Sequence, residues 1–135
     1  MRFARKTRRN NDERIVMAAH NELGKWGEDK ATEYLQHHGY RIIERDWKSG
    51  RRDIDIIATD GNEVVFVEVK TRRNRLFGDP EEAVDYRKLQ NLRLAINHYI
   101  KYRRINSDVR FDIITVVGTM GQQPEIDHIK DVRLY

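Results

Sequence analysis

The sequence predicts a single α/β domain in which helices flank a central mixed sheet, in the order α-β-β-β-α-β with one late strand. Apolar side chains recur at helical spacing in residues 20–40 and 81–104, and these two periods predict the helices. Between them, residues 51–60 and 63–72 are strand-like and enclose a Gly-Asn pair, which is a strong hairpin signal. The 135 residues fit one domain of ordinary size.

The first helix is expected from residue 20 to residue 40. Apolar side chains recur there at spacings of three and four, and Gly39 is a favoured helix terminator. Gly24 and Gly27 lie inside this helix, where each costs up to about 1 kcal/mol relative to Ala. These glycines therefore either allow another element to approach closely or mark the start of the helix.

The remaining strand segments are rich in bulky and β-branched side chains. Besides the hairpin, they are residues 40–48, a buried run at 109–118 and a shorter run at 125–134. The second helix precedes the buried run, and Pro80 suits its entry. Because there is no internal repeat and no linker, residues 15–135 are expected to form one domain.

Composition excludes several classes of protein. Apolar residues make up 39% of the chain and charged residues 36%, against averages of about 45–50% and about 25%, so a modest core and a highly charged surface are expected. The absence of cysteine removes disulfides, zinc ribbons, iron–sulfur clusters and thiol nucleophiles. No apolar run approaches the ~18 residues of a membrane span and the N-terminus lacks a signal-peptide core, so a cytoplasmic protein with no membrane partner is expected.

The basic charge is concentrated at the N-terminus. The formal net charge is +4, and residues 1–14 alone carry six basic side chains, among them Arg5, Arg8 and Arg9, against two acidic ones. This segment lacks apolar periodicity, so a flexible basic arm is expected. The arm is either a contact for nucleic-acid phosphates or a solvated tail.

The hairpin places acidic side chains where a strand usually carries apolar ones. If the Gly-Asn pair forms the turn, Asp55 lies opposite Glu68 and Asp53 lies opposite Lys70, with Cβ atoms about 4.5–5.5 Å apart. Because side chains alternate along a strand, these four residues share one face. The other face would carry only apolar side chains, namely Ile54, Ile56, Ala58, Val65, Val67 and Val69.

Facing carboxylates repel each other unless a cation lies between them or one is protonated. Asp55 and Glu68 supply the minimum oxygen ligands for Mg²⁺ or Mn²⁺, and Lys70 can stabilise charge developing on a phosphate. The alternative is a solvent-facing charged ladder, which is common on antiparallel sheets. Two observations oppose it: Ile57 and Phe66 share the polar face, and Asp55 faces an acid rather than a base.

Four segments together resemble a known family. LGKWGEDKATEYLQHHGYRIIERDW, RDIDIIA, VVFVEVKTR and RFDIITV resemble the bacterial YraN family of uncharacterised proteins, within the PD-(D/E)xK nuclease superfamily. The resemblance runs over residues 24–118. It implies a restriction-endonuclease-like core, related to Holliday junction resolvases, with Asp55 and the Glu68-Val69-Lys70 triplet as the metal-binding and catalytic motif.

The resemblance also implies that Glu28, in the first helix, lies near the same site, as a helix glutamate does in related junction-cleaving nucleases. Without the family pattern, Glu28 would be an ordinary surface glutamate. The chain departs from the usual GEID tetrad of the family, since it has Arg52-Asp53-Ile54-Asp55. This departure leaves the auxiliary role of Asp53 open and does not affect Asp55.

A basic loop follows the acidic motif directly. Arg72, Arg73 and Arg75, together with Lys88 in the second helix, are expected to contact phosphates near the metal. The alternative for these residues is a solvated basic loop.

Three functions are compatible with these patterns. The first is a metal-dependent endonuclease that hydrolyses phosphodiester bonds in DNA, including branched DNA, with Mg²⁺ or Mn²⁺. The second is a nucleic-acid-binding module that keeps the nuclease fold without cleavage. The third is an interaction protein whose charged hairpin is only surface. By analogy with branched-DNA nucleases a homodimer is an option, although the sequence carries no dimer signature.

Overall fold

A computed structural model describes residues 2–75 and 86–134, with side chains from residue 11 onward in these ranges. Within these ranges, two helices and five strands follow one another. They are α1 (Arg2–His37), β1 (Arg41–Ser49), β2 (Arg52–Asp60), β3 (Glu63–Arg72), α2 (Tyr86–Tyr102), β4 (Val109–Val117) and β5 (Glu125–Ile129).

The five strands form one mixed sheet in the order β1-β2-β3-β4-β5. The pair β3–β4, which the chain joins through α2, is parallel, and the other three pairs are antiparallel. This arrangement confirms the predicted mixed α/β fold with a restriction-endonuclease-like core. None of the helices in the described ranges has the length and apolar character to cross a membrane.

The core has two layers, one on each face of the sheet. On one face, Leu92, Ala95, Ile96 and Tyr99 of α2 pack on side chains from the central strands. On the other face, α1 contributes Ala31 and Leu35 to a cluster with residues of β2, β3 and β4. The sheet is therefore buried on both sides at its centre, as a parallel pair with a helical crossover requires.

The helix α1 is longer than the apolar period predicted. It begins at Arg2 instead of residue 20 and passes through both internal glycines. The segment before Gly24 contains no Gly or Pro and many good helix formers. The helix propensity of these residues therefore accounts for the longer helix, without an apolar face that packs on the core. The flexibility of residues 1–14 stays a prediction.

The ends of two other elements can be compared with the sequence. The expected start of the second helix, at residue 81, lies outside the described residues, and α2 ends at Tyr102. The last strand ends at Ile129 instead of residue 134, because Asp131 adopts a left-handed backbone with φ 56° and its N–H donates to Asp112. The chain then crosses to the α2 side, where Val132 and Leu134 pack.

The hairpin register is as predicted near the turn and fails at the other end. The pairs Asp60–Glu63, Ala58–Val65, Ile57–Phe66 and Ile56–Val67 follow the predicted register, and there the β2–β3 ladder ends. The β2–β3 ladder ends before it reaches Asp53, so the predicted pair Asp53–Lys70 is wrong; on the other edge of β2, Asp53 pairs with Lys48 of β1. Ile54 packs on the α2 side with Ile57, not on the α1 side with Ile56, because the alternation of side chains breaks at Asp55.

Candidate functional site

The candidate site lies where β2 and β3 diverge. On the side of Ile56 and Val67 away from the turn, β2 and β3 no longer pair with each other. There β2 remains paired with β1, while β3 remains paired with β4. In the gap, Oδ2 of Asp55 accepts a hydrogen bond of 2.8 Å from the backbone N–H of Val69. Asp55 and Glu68 are therefore neighbours, although they are not the cross-strand pair that the register predicts.

Asp55 is enclosed by other acids. Burial, and then the charges of Glu68, Glu28 and Asp53, raise its pKa to about 9, against the opposing hydrogen bond from Val69. A carboxyl group with such a pKa carries its proton at neutral pH unless a cation compensates the surrounding negative charge. The site thus holds more carboxylates than its environment can ionise.

Glu68 has the opposite surroundings. Its side chain is 5% exposed, and its Oε1 lies 2.9 Å from Nζ of Lys88 and 3.5 Å from Nζ of Lys70. Burial is the largest cause that lowers the pKa of Lys70, and the neighbouring Lys88 lowers it further. Because Glu68 is 4% and Lys70 7% exposed as whole residues, the alternative of a solvent-facing charged ladder does not describe this face.

Close packing of α1 on β3 brings Glu28 to the site. A Cβ atom on Gly27 would lie 1.9 Å from Oγ1 of Thr71, so only glycine allows this approach. Gly24 has no neighbour within 4 Å of such an atom. The adjacent Glu28 lies close enough to Asp55 to interact with it, and burial raises the pKa of Glu28. The position of Glu28 therefore follows from the glycine before it.

A cleft of about 680 Å³ opens between α1 and the diverging strands. Its lining includes six of the twelve residues that the sequence singles out, namely Glu28, Asp53, Asp55, Lys70, Arg72 and Lys88. Glu68 lies at an adjoining smaller cavity, which it shares with Asp53 and Lys88.

The predicted phosphate contacts are distributed unevenly around the cleft. Arg73 borders a neighbouring groove between α1 and β3, which Arg72 also lines. Arg75 is turned toward β5, where it contacts Asp127 at 2.8 Å and Glu125 at 3.5 Å. The structure thus does not bring Arg75 to the cleft. Arg5, Arg8 and Arg9 lie in the first turns of α1, and their side chains are outside the described part of the chain.

Asp29, Arg45 and Asp46 are among the cleft residues that sequence reasoning missed. Asp29 and Arg45 form an ion pair of 2.8 Å across the wall of the cleft. Asp46 has a left-handed backbone with φ 51°. It lies across from Asp55, because its neighbours Arg45 and Trp47 pair with Ile56 and Ile54. An aspartate within a strand of bulky residues was the available signal for Asp46, whereas nothing in the local pattern marks the pair Asp29–Arg45.

A second buried polar cluster lies on the α1 side, at β4 and β5. Asp112 accepts hydrogen bonds from Arg110 at 2.9 and 3.0 Å, from Nε2 of His128 at 2.7 Å and from the backbone of Asp131 at 3.0 Å. Tyr34 lies 3.2 Å from the other ring nitrogen of His128. These bonds satisfy the buried carboxylate, fix the chain end and give both ring nitrogens of His128 a partner.

The donors at the cleft fit a hard divalent cation by their chemistry. Within residues 2–75 and 86–134, no group of three or more His, Cys, Asp or Glu side chains has the arrangement of a complete metal site. Asp55, which is half-buried, and Glu68, which is buried, nevertheless provide two carboxylates, and one or two carboxylates with water and substrate oxygens suffice for Mg²⁺. The raised pKa of Asp55 is the observation that favours a cation there.

Comparison with known proteins identifies the family. The model of the uncharacterised protein family UPF0102 matches residues 27–116. A UPF0102 protein of Bacteroides thetaiotaomicron is 53% identical over 115 residues, which cover 85% of this chain and 94% of the relative. A relative from Christiangramia forsetii is 41% identical over 119 residues, or 88% and 99% of the two chains. The chain therefore belongs to the uncharacterised protein family UPF0102, the YraN family that its sequence resembles.

Proposed function

We propose that this protein is a metal-dependent endonuclease that hydrolyses phosphodiester bonds in DNA, with branched DNA among its substrates. The observation that carries the proposal is the half-buried carboxylate of Asp55 beside the buried carboxylate of Glu68, with Lys70 next to them, at a cleft of about 680 Å³. Burying charges of this kind destabilises a small domain, so a functional reason is needed for keeping them.

Each group has a role that follows from its position. Asp55 and Glu68 would hold Mg²⁺ or Mn²⁺, and Glu28 and Asp53 add negative charge around them. When bound, the cation supplies charge neutralisation at the phosphate and lowers the pKa of the attacking water. Nζ of Lys70 lies 3.5 Å from Oε1 of Glu68, and in this proposal it would stabilise the charge that develops on the phosphate.

Phosphate contacts complete the proposal. Arg72 lines the cleft and Arg73 borders the adjoining groove, so both lie on the route by which a nucleic-acid backbone would reach the carboxylates. The contacts predicted for Arg5, Arg8 and Arg9, at the start of α1, are part of the same proposal. A homodimer stays a prediction.

The test is a cleavage panel of linear, flapped and four-way DNAs, with an RNA duplex as a further substrate, in Mg²⁺ or Mn²⁺. We expect Glu68→Gln and Lys70→Ala each to lower the cleavage rate by roughly 100-fold or more. Glu33→Gln is the matched control, because it removes a carboxylate from an exposed ion pair with Lys30. Cleavage that survives both substitutions at the cleft would overturn the proposed mechanism.

A non-catalytic nucleic-acid-binding module is the second candidate. It is favoured by the ammonium groups of Lys70 and Lys88, which neutralise Glu68 without any metal. For this function we expect salt-sensitive DNA binding and no cleavage with either metal. Glu68→Gln should not change the slope of log affinity against log salt concentration, which reports the number of phosphate contacts.

A further inference from the structure

Lys88 occupies an unusual position for a residue expected to contact phosphate. It reaches Glu68 from α2, and its Nζ lies 2.9 Å from Oε1, whereas Lys70 lies 3.5 Å from the same oxygen. The side chain of Lys88 is 45% exposed, but those of Glu68 and Lys70 are 5% and 9% exposed. The closer of the two ammonium groups is therefore also the one that can leave the site.

A divalent cation at Glu68 and the ammonium of Lys88 cannot occupy the same surroundings. Both are cations that require the carboxylate oxygens, and like charges repel each other strongly in a half-buried site. Lys70 is held inside the sheet, so Lys88 is the group that must move. Outside the site, an ammonium at the cleft edge has a phosphate as its natural partner.

We propose that Lys88 is an internal counter-ion of Glu68, which a divalent metal displaces and which a nucleic-acid phosphate then holds. The proposal rests on the proposed function and adds a regulatory step to it. Without substrate, Lys88 competes with the metal. With substrate, a phosphate draws Lys88 away from Glu68, so nucleic acid and metal each strengthen the binding of the other, by the same factor in both directions.

The test compares Mn²⁺ binding by calorimetry in the wild-type protein, Lys88→Met, Lys88→Arg and the control Lys101→Met. Lys101 is an exposed lysine at the other end of α2. We expect Lys88→Met to bind Mn²⁺ about tenfold more tightly, since the competing charge is removed. Lys88→Arg and Lys101→Met should resemble the wild type. General structural damage would weaken Mn²⁺ binding, whereas the proposal expects Lys88→Met to bind Mn²⁺ more tightly.

The coupling has its own measurement. The affinity for a duplex oligonucleotide is determined by fluorescence anisotropy with and without Ca²⁺, which is a hard cation used here to measure binding. We expect Ca²⁺ to strengthen DNA binding by the wild type and by Lys101→Met, and to do so several-fold less in Lys88→Met.

The outcomes separate this proposal from the proposed function. If the wild type cleaves DNA but Lys88→Met binds Mn²⁺ with wild-type affinity, the counter-ion proposal is wrong and the nuclease proposal stands. If neither protein binds Mn²⁺ or Ca²⁺, with or without DNA, both proposals are overturned.

Discussion

Asp112, which is buried, and Asp55, which is half-buried in the same sheet, have pKa values displaced in opposite directions, and their neighbours explain the difference. Burial disfavours the charge of Asp112, but hydrogen bonds from His128, Arg110 and the backbone of Asp131 outweigh it, and the pKa of Asp112 is lowered. Asp55 is half-buried among other acids, and its pKa rises to about 9. The first environment stabilises the fold, whereas the second reduces stability and has the character of a functional site.

At the residue scale, Asp55→Asn is expected to stabilise the metal-free protein. The ordinary pKa of an aspartate is about 3.9. At pH values between about 3.9 and about 9, Asp55 holds a proton in the folded protein that it has lost in the unfolded chain. The stability of the wild type therefore falls as pH rises. Asn is neutral at every pH and can still accept the Val69 hydrogen bond. We expect a gain of roughly 2–4 kcal/mol at neutral pH.

Urea unfolding in EDTA at several pH values measures this effect. The gain of Asp55→Asn should grow from acid to mildly alkaline pH, and the exposed control Asp108→Asn should show no such trend. A gain that does not vary with pH, or a loss, would contradict the assignment of the raised pKa to Asp55. The same substitution should abolish stabilisation by Mg²⁺, so activity and stability are expected to change in opposite directions.

At the scale of elements, the contact between α1 and β3 decides where Glu28 lies. Gly27→Ala is expected to lower the free energy of unfolding by about 1–3 kcal/mol, because the new Cβ overlaps Thr71 and α1 must shift. Gly24→Ala, in the same helix with no neighbour within 4 Å, should instead raise stability by about 0.5–1 kcal/mol through helix propensity. Urea unfolding of both variants tests the two signs.

The double variant Gly27→Ala with Thr71→Ala is a further check on this contact. Removing Oγ1 and Cγ2 of Thr71 relieves the two closest overlaps, at 1.9 and 2.7 Å, and leaves the one with Cβ at 2.9 Å. Partial recovery of stability is therefore expected. If Gly27→Ala behaved like Gly24→Ala, the close packing would not be a constraint on the helix.

The elements also show which features could be predicted from the sequence. The hairpin turn and its nearest pairs were predicted correctly, because the Gly-Asn pair and the period of two are local signals. The failure began at Asp55, where β2 follows β1 instead of β3, since that choice depends on a neighbouring strand. For the same reason, the contact of Lys88 with Glu68 had no signal in either segment, although both residues were named for the site.

At the scale of the whole molecule, the uneven charge predicts how the protein approaches nucleic acid. The formal net charge of +4 is matched by the excess of basic residues within positions 1–14, so the rest of the chain is close to neutral. That segment begins α1, which leads into the cleft through His20 and Leu23. A charged helix in this position would hold a phosphate backbone on the path to the carboxylates.

Replacing Arg5, Arg8 and Arg9 with Gln should therefore weaken DNA binding and its dependence on salt. Each phosphate contact on duplex DNA contributes about −0.9 to the slope of log affinity against log salt concentration, so the slope should become shallower by up to about 3. Fluorescence anisotropy over a salt series measures it. The matched control is a triple variant at three exposed basic positions far along the chain, Arg87, Lys101 and Lys130. If both triple variants changed the slope equally, the arm would act through net charge alone, whereas a change confined to the arm variant would locate the phosphate contacts on α1.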